Sequence, residues 1–154
     1  MNASSRLFDY DGMIPKKYTG FGEDISPEIL LNDIPGGTVS LAIVMDDLDV
    51  PFRKFFTHWV IWNIPSTEKI PEGLPNGRNI EKPIRAVQGK AWGKHVYRGP
   101  KQPFFIKREH RYVFHVYALD CRLNLSETAG KKELMDAMKG HMLADSELIG
   151  RYKP

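Results

Sequence analysis

The chain has 154 residues, which is enough for one domain with a single sizeable core. Its 22 basic and 19 acidic side chains give a net charge of +3, and the basic residues are scattered along the chain, so neither a nucleic acid nor a membrane surface is indicated as a partner. A single cysteine excludes an internal disulfide and is typical of a reducing compartment, so we expect a cytoplasmic protein. The N-terminal residues show no secretory-signal pattern and the apolar runs are short, so we expect no secretion signal and no stable membrane insertion.

The first half of the chain predicts strands separated by turns. Prolines and glycines interrupt residues 1–35, which favours short strands and turns. The stretch TVSLAIVMDD, residues 38–47, is apolar on both faces and β-branched, as in a strand covered on both sides. A second such strand is predicted for HWVIWNIP, residues 58–65, which ends at a proline.

Residues 66–103 lose this periodicity because prolines and glycines recur through them. Loops of this length in compact domains are functional or disordered. The aromatic side chains Trp92 and Tyr97 argue against disorder, so we predict an ordered excursion that packs on the sheets.

The second half predicts one more strand and one helix. RYVFHVYALD, residues 111–120, is the third clear strand. KKELMDAMKG, residues 131–140, has apolar side chains at helical spacing and Gly140 after its end, which predicts a helix. The last residues, 141–154, are ambiguous. The whole chain, residues 1–154, is therefore predicted to be one mainly β domain.

Several polar side chains lie where these strands begin or end. Strict alternation puts His110 on the face of Tyr112, and puts Asp47 on the side of Asp49 if the chain stays extended. It also puts His58 on one face with three apolar neighbours, namely Val60, Trp62 and Ile64. Two imidazoles, a phenol and a carboxylate around one pocket would suit an oxyanion such as phosphate, because the rings and the hydroxyl donate hydrogen bonds while the acid orients a ring.

Each of these residues also has a structural interpretation. Asp47 precedes a turn that its side chain can cap, and a histidine at a strand end is often a satisfied structural group. A basic rim formed by Lys101, Lys107 and Arg108 is an alternative to an ordinary solvated loop.

Other chemistries are poorly supported by the spacing of residues. No metal-ligand motif, nucleophile elbow or phosphate-binding glycine loop is present, so we expect no metal and no cofactor. Cys121 is interpreted as a structural thiol. Three further histidines, His95, His115 and His141, carry no functional pattern, and His115 lies on the face opposite His110.

Three ordered motifs resemble a known family. DLDVP (47–51), HWVIWNIP (58–65) and GPKQPFFIKREHRYVFHVYALD (99–120) are similar to the signatures of the phosphatidylethanolamine-binding proteins, also called Raf kinase inhibitor-like proteins. The opening IPKKYTGFGEDISPEI and the ending GHMLADSELIGRY resemble the short bacterial and archaeal branch. The resemblance implies a large antiparallel, β-sandwich-like fold with a few peripheral short helices and one small anion pocket.

The resemblance also implies which residues form that pocket. The ligand-binding residues would be Asp47, His58, Pro103, His110 and Tyr112, with Asp49 and Gly99 in support. Four positions depart from the family pattern: Leu48 and Val50 add bulk near the pocket mouth, and Lys101 and Gln102 replace a Cys-Pro pair. No long helix follows Tyr152, so control of the pocket by such a helix is not implied.

Three functions follow as hypotheses. The first is a non-enzymatic protein that binds a small anionic or phosphorylated ligand and in this way regulates a partner. The second is an inhibitor of a protease or kinase that acts through surface loops. The third, and least supported, is a metal-assisted hydrolase. The resemblance also implies a homodimer.

Overall fold

The computed structural model describes all residues, Met1–Pro154. Its strands, in chain order, are β1 (Asn2–Ser4), β2 (Gly12–Met13), β3 (Ile29–Asn32), β4 (Ser40–Asp47), β5 (Phe56–Pro65), β6 (Lys69–Ile70), β7 (Asn79–Ile80), β8 (Ala86–Gln88), β9 (His110–Leu119) and β10 (Met142–Tyr152). The only helices are a 3₁₀ turn, Lys16–Tyr18, and one α-helix, α1 (Lys131–Met138). No helix has the length and apolar character needed to span a membrane.

The strands form two sheets, which confirms the predicted mainly β architecture. A small sheet has the order β1-β3-β6, and a large one has the order β2-β10-β9-β4-β5-β8-β7. All pairings are antiparallel except that of β2 with β10. The three strands that were predicted as buried on both faces, β4, β5 and β9, lie side by side in the middle of the large sheet.

Both faces of the large sheet are covered. One face joins a core of 22 buried residues that includes Met45, Trp59 and Phe114. On the other face lies a second cluster of eight buried residues, which includes Leu134 and Met138 of α1. Every residue of β4 is buried because this strand lies between the two clusters.

The structure of two segments, residues 141–154 and residues 66–103, can be compared with the sequence predictions. The ambiguous ending is the longest strand of the protein, β10, which pairs with β9 along its length. Its side chains are partly exposed in the first half, which is why its apolar pattern is weak. The long proline- and glycine-rich segment is ordered, as predicted, and contributes β6, β7 and β8.

Two β-bulges in β5 interrupt its alternation. Asp46 pairs with Thr57 and Met45 with Trp59, so His58 is an extra residue on β5. A second extra residue separates Ile61 from Ile64, next to Asn63, which has a φ of 56°. The prediction of one face for His58, Val60, Trp62 and Ile64 is therefore wrong: Val60 and Trp62 pack toward α1, whereas Ile64 belongs to the main core.

Candidate functional site

A cavity of about 270 Å³ lies at one end of the large sheet, where β4 ends and where β5 and β9 begin. Because neighbouring strands are antiparallel, these three strand ends meet at the same edge. The residues that line the cavity are Asp47, Val50, Pro51, Phe56, His58, Arg98, Lys101, Gln102, Pro103, Ile106, His110 and Tyr112. The five predicted ligand-binding residues thus line one cavity.

The bulge in β5 turns the His58 ring toward this cavity. Thr57 donates a hydrogen bond to Asp46 on the face of the sheet that α1 covers, whereas Trp59 belongs to the main core on the opposite face. His58 lies between them, and its ring meets the Tyr112 ring edge-on with centroids 5.4 Å apart. Without the extra residue, regular alternation would turn His58 away from Tyr112.

His58 is buried and held by a backbone carbonyl. Its Nδ1 lies 2.8 Å from the Arg98 carbonyl oxygen, so Nδ1 carries the proton and donates. Burial lowers the pKa of His58 and outweighs the opposing effects of this hydrogen bond and of the Asp47 charge. The ring is therefore neutral at neutral pH, and Nε2 carries a lone pair.

Asp47 is both a turn residue and a partner of His110. Its Oδ1 accepts the backbone N–H of Asp49 at 2.8 Å, which closes the turn after β4. Its Oδ2 lies 2.7 Å from His110 Nδ1, and the acid and the imidazole are almost fully buried. Asp47 thus fixes the ring orientation and tautomer of His110, with Nε2 directed away from the acid. Asp47 therefore caps its own turn and also lines the cavity.

Tyr112 lines the cavity with an unsatisfied hydroxyl. This oxygen is buried, yet it has no hydrogen-bond partner within the protein. Burial raises the pKa of Tyr112, and the nearby Asp47 charge raises it further, so the phenol keeps its proton and remains a donor. An unpaired buried hydroxyl costs free energy, which a guest in the cavity would recover.

The loop that crosses the cavity depends on Gly99. A β-carbon at this position would collide with the Tyr18 carbonyl oxygen, and the Gly99 N–H donates to Asp24 Oδ1 at 2.7 Å. Gly99 does not line the cavity; it allows the close approach that places the Arg98 carbonyl over His58 and Pro103 in the wall.

Asp49 lies outside the cavity, because the condition for grouping it with Asp47, an extended chain after β4, is not met. Its two carboxylate oxygens accept from Arg111 Nε and Nη2, each at 2.9 Å, and Oδ2 also accepts the Arg111 backbone N–H. The chain turns after β4 instead of staying extended, which moves Asp49 to the sheet surface. There it ties the turn to β9.

The charged side chains around the cavity favour an anion. Asp47 is the only carboxylate in the lining, and both of its oxygens already accept hydrogen bonds from the protein. Arg98 and Lys101 also line the cavity, and Arg108 Nε lies 3.4 Å from His110 Nε2. A divalent cation would lack a free carboxylate here and would face these positive charges.

Three departures from the family pattern and two residues that sequence reasoning missed line the cavity. Val50 and Gln102 line it, and the Gln102 amide donates to the Tyr152 carbonyl oxygen at 3.3 Å. Lys101 also lines it, but its ammonium group binds the Gly20 carbonyl oxygen. Sequence reasoning missed Arg98 and Phe56, since neither belongs to a recognisable pattern; the position of Phe56, two residues before His58, was the one available signal.

The other histidines lie elsewhere, as predicted. His95 Nδ1 contacts the Gln88 carbonyl oxygen, and His115 Nδ1 lies 3.1 Å from Glu147 on a partly exposed surface of the sheet. His141 pairs with Asp120 beyond the far end of β9. Cys121 is half-buried, and burial raises the pKa of its thiol, which disfavours a reactive thiolate.

Comparison with known proteins gives consistent matches over nearly the whole chain. The family model for phosphatidylethanolamine-binding protein matches residues 4–153. A UPF0098 protein of Pyrococcus abyssi is 43% identical over 150 residues, which cover 97% of this chain and 83% of that relative. A UPF0098 protein of Methanothermobacter thermautotrophicus is 41% identical and covers 99% of each chain.

Two solved structures share the fold. A putative phosphatidylethanolamine-binding protein homologue from Chlamydia trachomatis superposes with a TM-score of 0.86 at 35% identity, over 99% of this chain and 97% of that one. YbcL of E. coli, described as a member of the mammalian family, gives a TM-score of 0.86 at 23% identity, over 99% and 98% of the two chains. The chain therefore belongs to the phosphatidylethanolamine-binding protein family.

Proposed function

We propose that this protein is a non-enzymatic binding protein whose cavity accepts a phosphate group or a similar small anionic head group. One observation carries the proposal: His58, His110 and the unpaired hydroxyl of Tyr112 converge on one cavity whose single carboxylate is already engaged. Asp47 is the positioning residue for His110, Pro103 shapes the wall, and Arg98 supplies positive charge.

The tautomers link anion binding to proton uptake. In the free protein each ring uses Nδ1–H within the protein, so both Nε2 atoms are acceptors that repel an unprotonated oxyanion. A bound anion raises the pKa of an imidazole close to it, because opposite charges favour the protonated ring. Binding therefore takes up a proton on His58, and affinity rises as the pH falls toward the lowered pKa of that ring.

The test is an NMR titration with inorganic phosphate and with phosphoethanolamine. We expect both to perturb the His58 ring signals of the unchanged protein. His110→Ala and Asp47→Ala should abolish this response while the fold is retained, since they remove the ring and its positioning partner. His141→Ala is the matched control, because His141 lies beyond the other end of the sheet, and it should titrate as the parent does. An unchanged titration in His110→Ala and Asp47→Ala would contradict the proposal.

Inhibition of a protease or kinase and formation of a homodimer stay predictions from the family resemblance. A panel of proteases and kinases assayed with the purified protein tests the first, and sedimentation equilibrium tests the second. Phosphoester substrates should show no turnover, as expected for a protein that binds but does not hydrolyse.

A further inference from the structure

Three side chains that can bind a metal ion lie together at the end of the large sheet opposite the cavity. Asp120 and Cys121 follow β9, and His141 precedes β10. One ligand atom from each of the three residues lies within 4.8 Å of the other two. Asp120 and His141 are half-exposed and Cys121 is half-buried, so an ion from the solvent can reach all three. We call these three residues the far-end cluster.

Backbone hydrogen bonds hold the far-end cluster in place. The Asp120 N–H donates to the His141 carbonyl oxygen at 3.0 Å, and the His141 N–H donates to the Met138 carbonyl oxygen at 3.0 Å. The Cys121 carbonyl oxygen accepts from the hydroxyl of Ser40, which is fully buried. Because these bonds fix the backbone of all three residues, only side-chain rotations are needed to bring the ligand atoms around one ion.

The chemistry of the three ligands favours zinc. A thiolate, an imidazole and a carboxylate together suit Zn²⁺, whereas Mg²⁺ and Ca²⁺ prefer oxygen ligands alone. A tetrahedral Zn²⁺ with bonds of about 2.0–2.3 Å holds its ligand atoms roughly 3.5 Å apart. That separation is compatible with the distances within the far-end cluster. Three protein ligands leave the fourth position of the ion to water.

The Asp120 carboxylate has no lysine or arginine that would compete with a metal ion. Its one ion-pair partner is His141, whose Nδ1–H donates to Asp120 Oδ1 at 2.8 Å. A metal ion replaces this proton and the proton of the Cys121 thiol, so binding releases protons and joins the three side chains through one centre. The hydrogen-bonded pair thus already holds two of the ligands side by side.

We propose that Asp120, Cys121 and His141 form a Zn²⁺ site that ties together the two ends of the connection between β9 and β10. This connection carries α1, and the three ligands lie at its first and last residues. Since the ion binds the folded chain, it stabilises that state. No metal-ligand motif marks the site in the sequence, because residues 120–121 and residue 141 meet only through the pairing of β9 with β10.

A titration with Co²⁺, followed by Zn²⁺, tests the site after treatment of the protein with a chelator. Cys121 is the only cysteine, so a thiolate-to-cobalt charge-transfer band in the near ultraviolet reports on this residue alone. We expect that band, together with the intense visible bands of a tetrahedral ion, to saturate at one Co²⁺ per chain. Zn²⁺ should then bleach both. Cys121→Ser should abolish the charge-transfer band.

Loss of either of the other two ligands should weaken Zn²⁺ binding by at least about tenfold, measured by competition with a chromophoric chelator. Asp120→Ala and His141→Ala keep the thiol but leave only two protein ligands. His115→Ala is the matched control, because His115 also pairs with an acid, Glu147 at 3.1 Å, where no cysteine adds a third ligand. It should bind Zn²⁺ as the parent does.

Thermal unfolding gives a second readout that does not depend on the spectrum of cobalt. Zn²⁺ should raise the midpoint temperature of the parent and of His115→Ala, because an ion stabilises the folded state as far as it binds that state. The midpoint of Cys121→Ser should not change when Zn²⁺ is added.

Three results would overturn the zinc site. They are a cobalt spectrum without the thiolate band, Zn²⁺ binding by Cys121→Ser that equals that of the parent, and equal loss of affinity in His141→Ala and His115→Ala. None of them bears on the proposed function, because the cavity lies at the other end of the large sheet. Conversely, His58 signals that ignore phosphate would leave the zinc site intact.

Discussion

Two histidine–aspartate pairs lie at opposite ends of the large sheet. His110 Nδ1 is 2.7 Å from Asp47 at the start of β9, and His141 Nδ1 is 2.8 Å from Asp120 beyond its end. The side chains of the first pair are 2% and 7% exposed, and those of the second are 48% and 45% exposed. The contacts are nearly identical, but only the first lies in a cavity.

The comparison shows that burial and neighbouring charges, and not the length of the contact, distinguish the two histidine–aspartate pairs. Water competes for the exposed pair, so its contribution to stability is small. Cys121 also lies near it, and one ligand atom from each of the three residues lies within 4.8 Å of the others, and Asp120 accepts from His141. At the buried end no water replaces a lost partner, and the surrounding charges are positive.

The largest predicted effect comes from a substitution that breaks the buried His110–Asp47 pair. Asp47→Ala removes the acceptor of His110 Nδ1–H and of the Asp49 backbone N–H, so we expect a loss of about 3 kcal/mol in the free energy of unfolding. Asp120→Ala should cost less than about 1 kcal/mol because water replaces the carboxylate. Urea unfolding of both variants measures the difference, and equal losses would show that burial does not separate the two pairs.

The next effect is a pH dependence from His58. Its pKa in the folded protein is lowered by burial, while the unfolded chain has the ordinary value of about 6.5. As the pH falls below that value, the unfolded state binds the proton first, so the protein loses stability at up to about 1.4 kcal/mol per pH unit. His58→Gln keeps a donor for the Arg98 carbonyl and should flatten this slope. A slope equal to that of the parent would contradict a neutral, buried His58.

The smallest effect compares two buried phenols in the main core. The Tyr97 hydroxyl donates to the Tyr18 carbonyl oxygen at 2.7 Å, whereas the Tyr112 hydroxyl has no partner. Tyr97→Phe should therefore cost about 1 kcal/mol, and Tyr112→Phe should leave stability unchanged or slightly higher.

We expect the proposed phosphate binding to show the opposite order of effects for these two variants. Because the Tyr112 hydroxyl is the donor left for a guest, Tyr112→Phe should weaken phosphate binding several-fold, and Tyr97→Phe should leave it unaltered. Calorimetric unfolding together with the NMR titration gives both quantities, and a Tyr112→Phe variant that binds as tightly as the parent would remove the hydroxyl from the site.

Much of the fold follows from local patterns. β4, β5 and β9 are apolar on both faces, so their positions in a covered sheet were predictable to within about two residues at each end. α1 was predictable from its apolar spacing and the glycine that follows its end. β10 was not, because its half-exposed first part lacks an apolar face.

Five residues that line the candidate cavity were predicted, but the geometry that brings them together was not. Side-chain alternation placed His110 on the face of Tyr112, and positions at strand ends suggested Asp47 and His58. The family resemblance added Pro103. Side-chain alternation placed His58 on the wrong face of β5, because a β-bulge adds one residue to the strand. A single sequence gives no reliable signal for such a bulge. Arg98 enters the site only because Gly99 lets its loop approach Tyr18 closely.

The sequence by itself determined that this is one mainly β domain with polar groups at its strand ends, because side-chain alternation and turn chemistry act over a few residues. Only the tertiary structure decided that the turn separates Asp49 from Asp47 and that a bulge brings His58 to Tyr112. It also decided that Arg98 and Phe56 line the same cavity. Those outcomes depend on strand register and on contacts between distant segments, which no local pattern encodes.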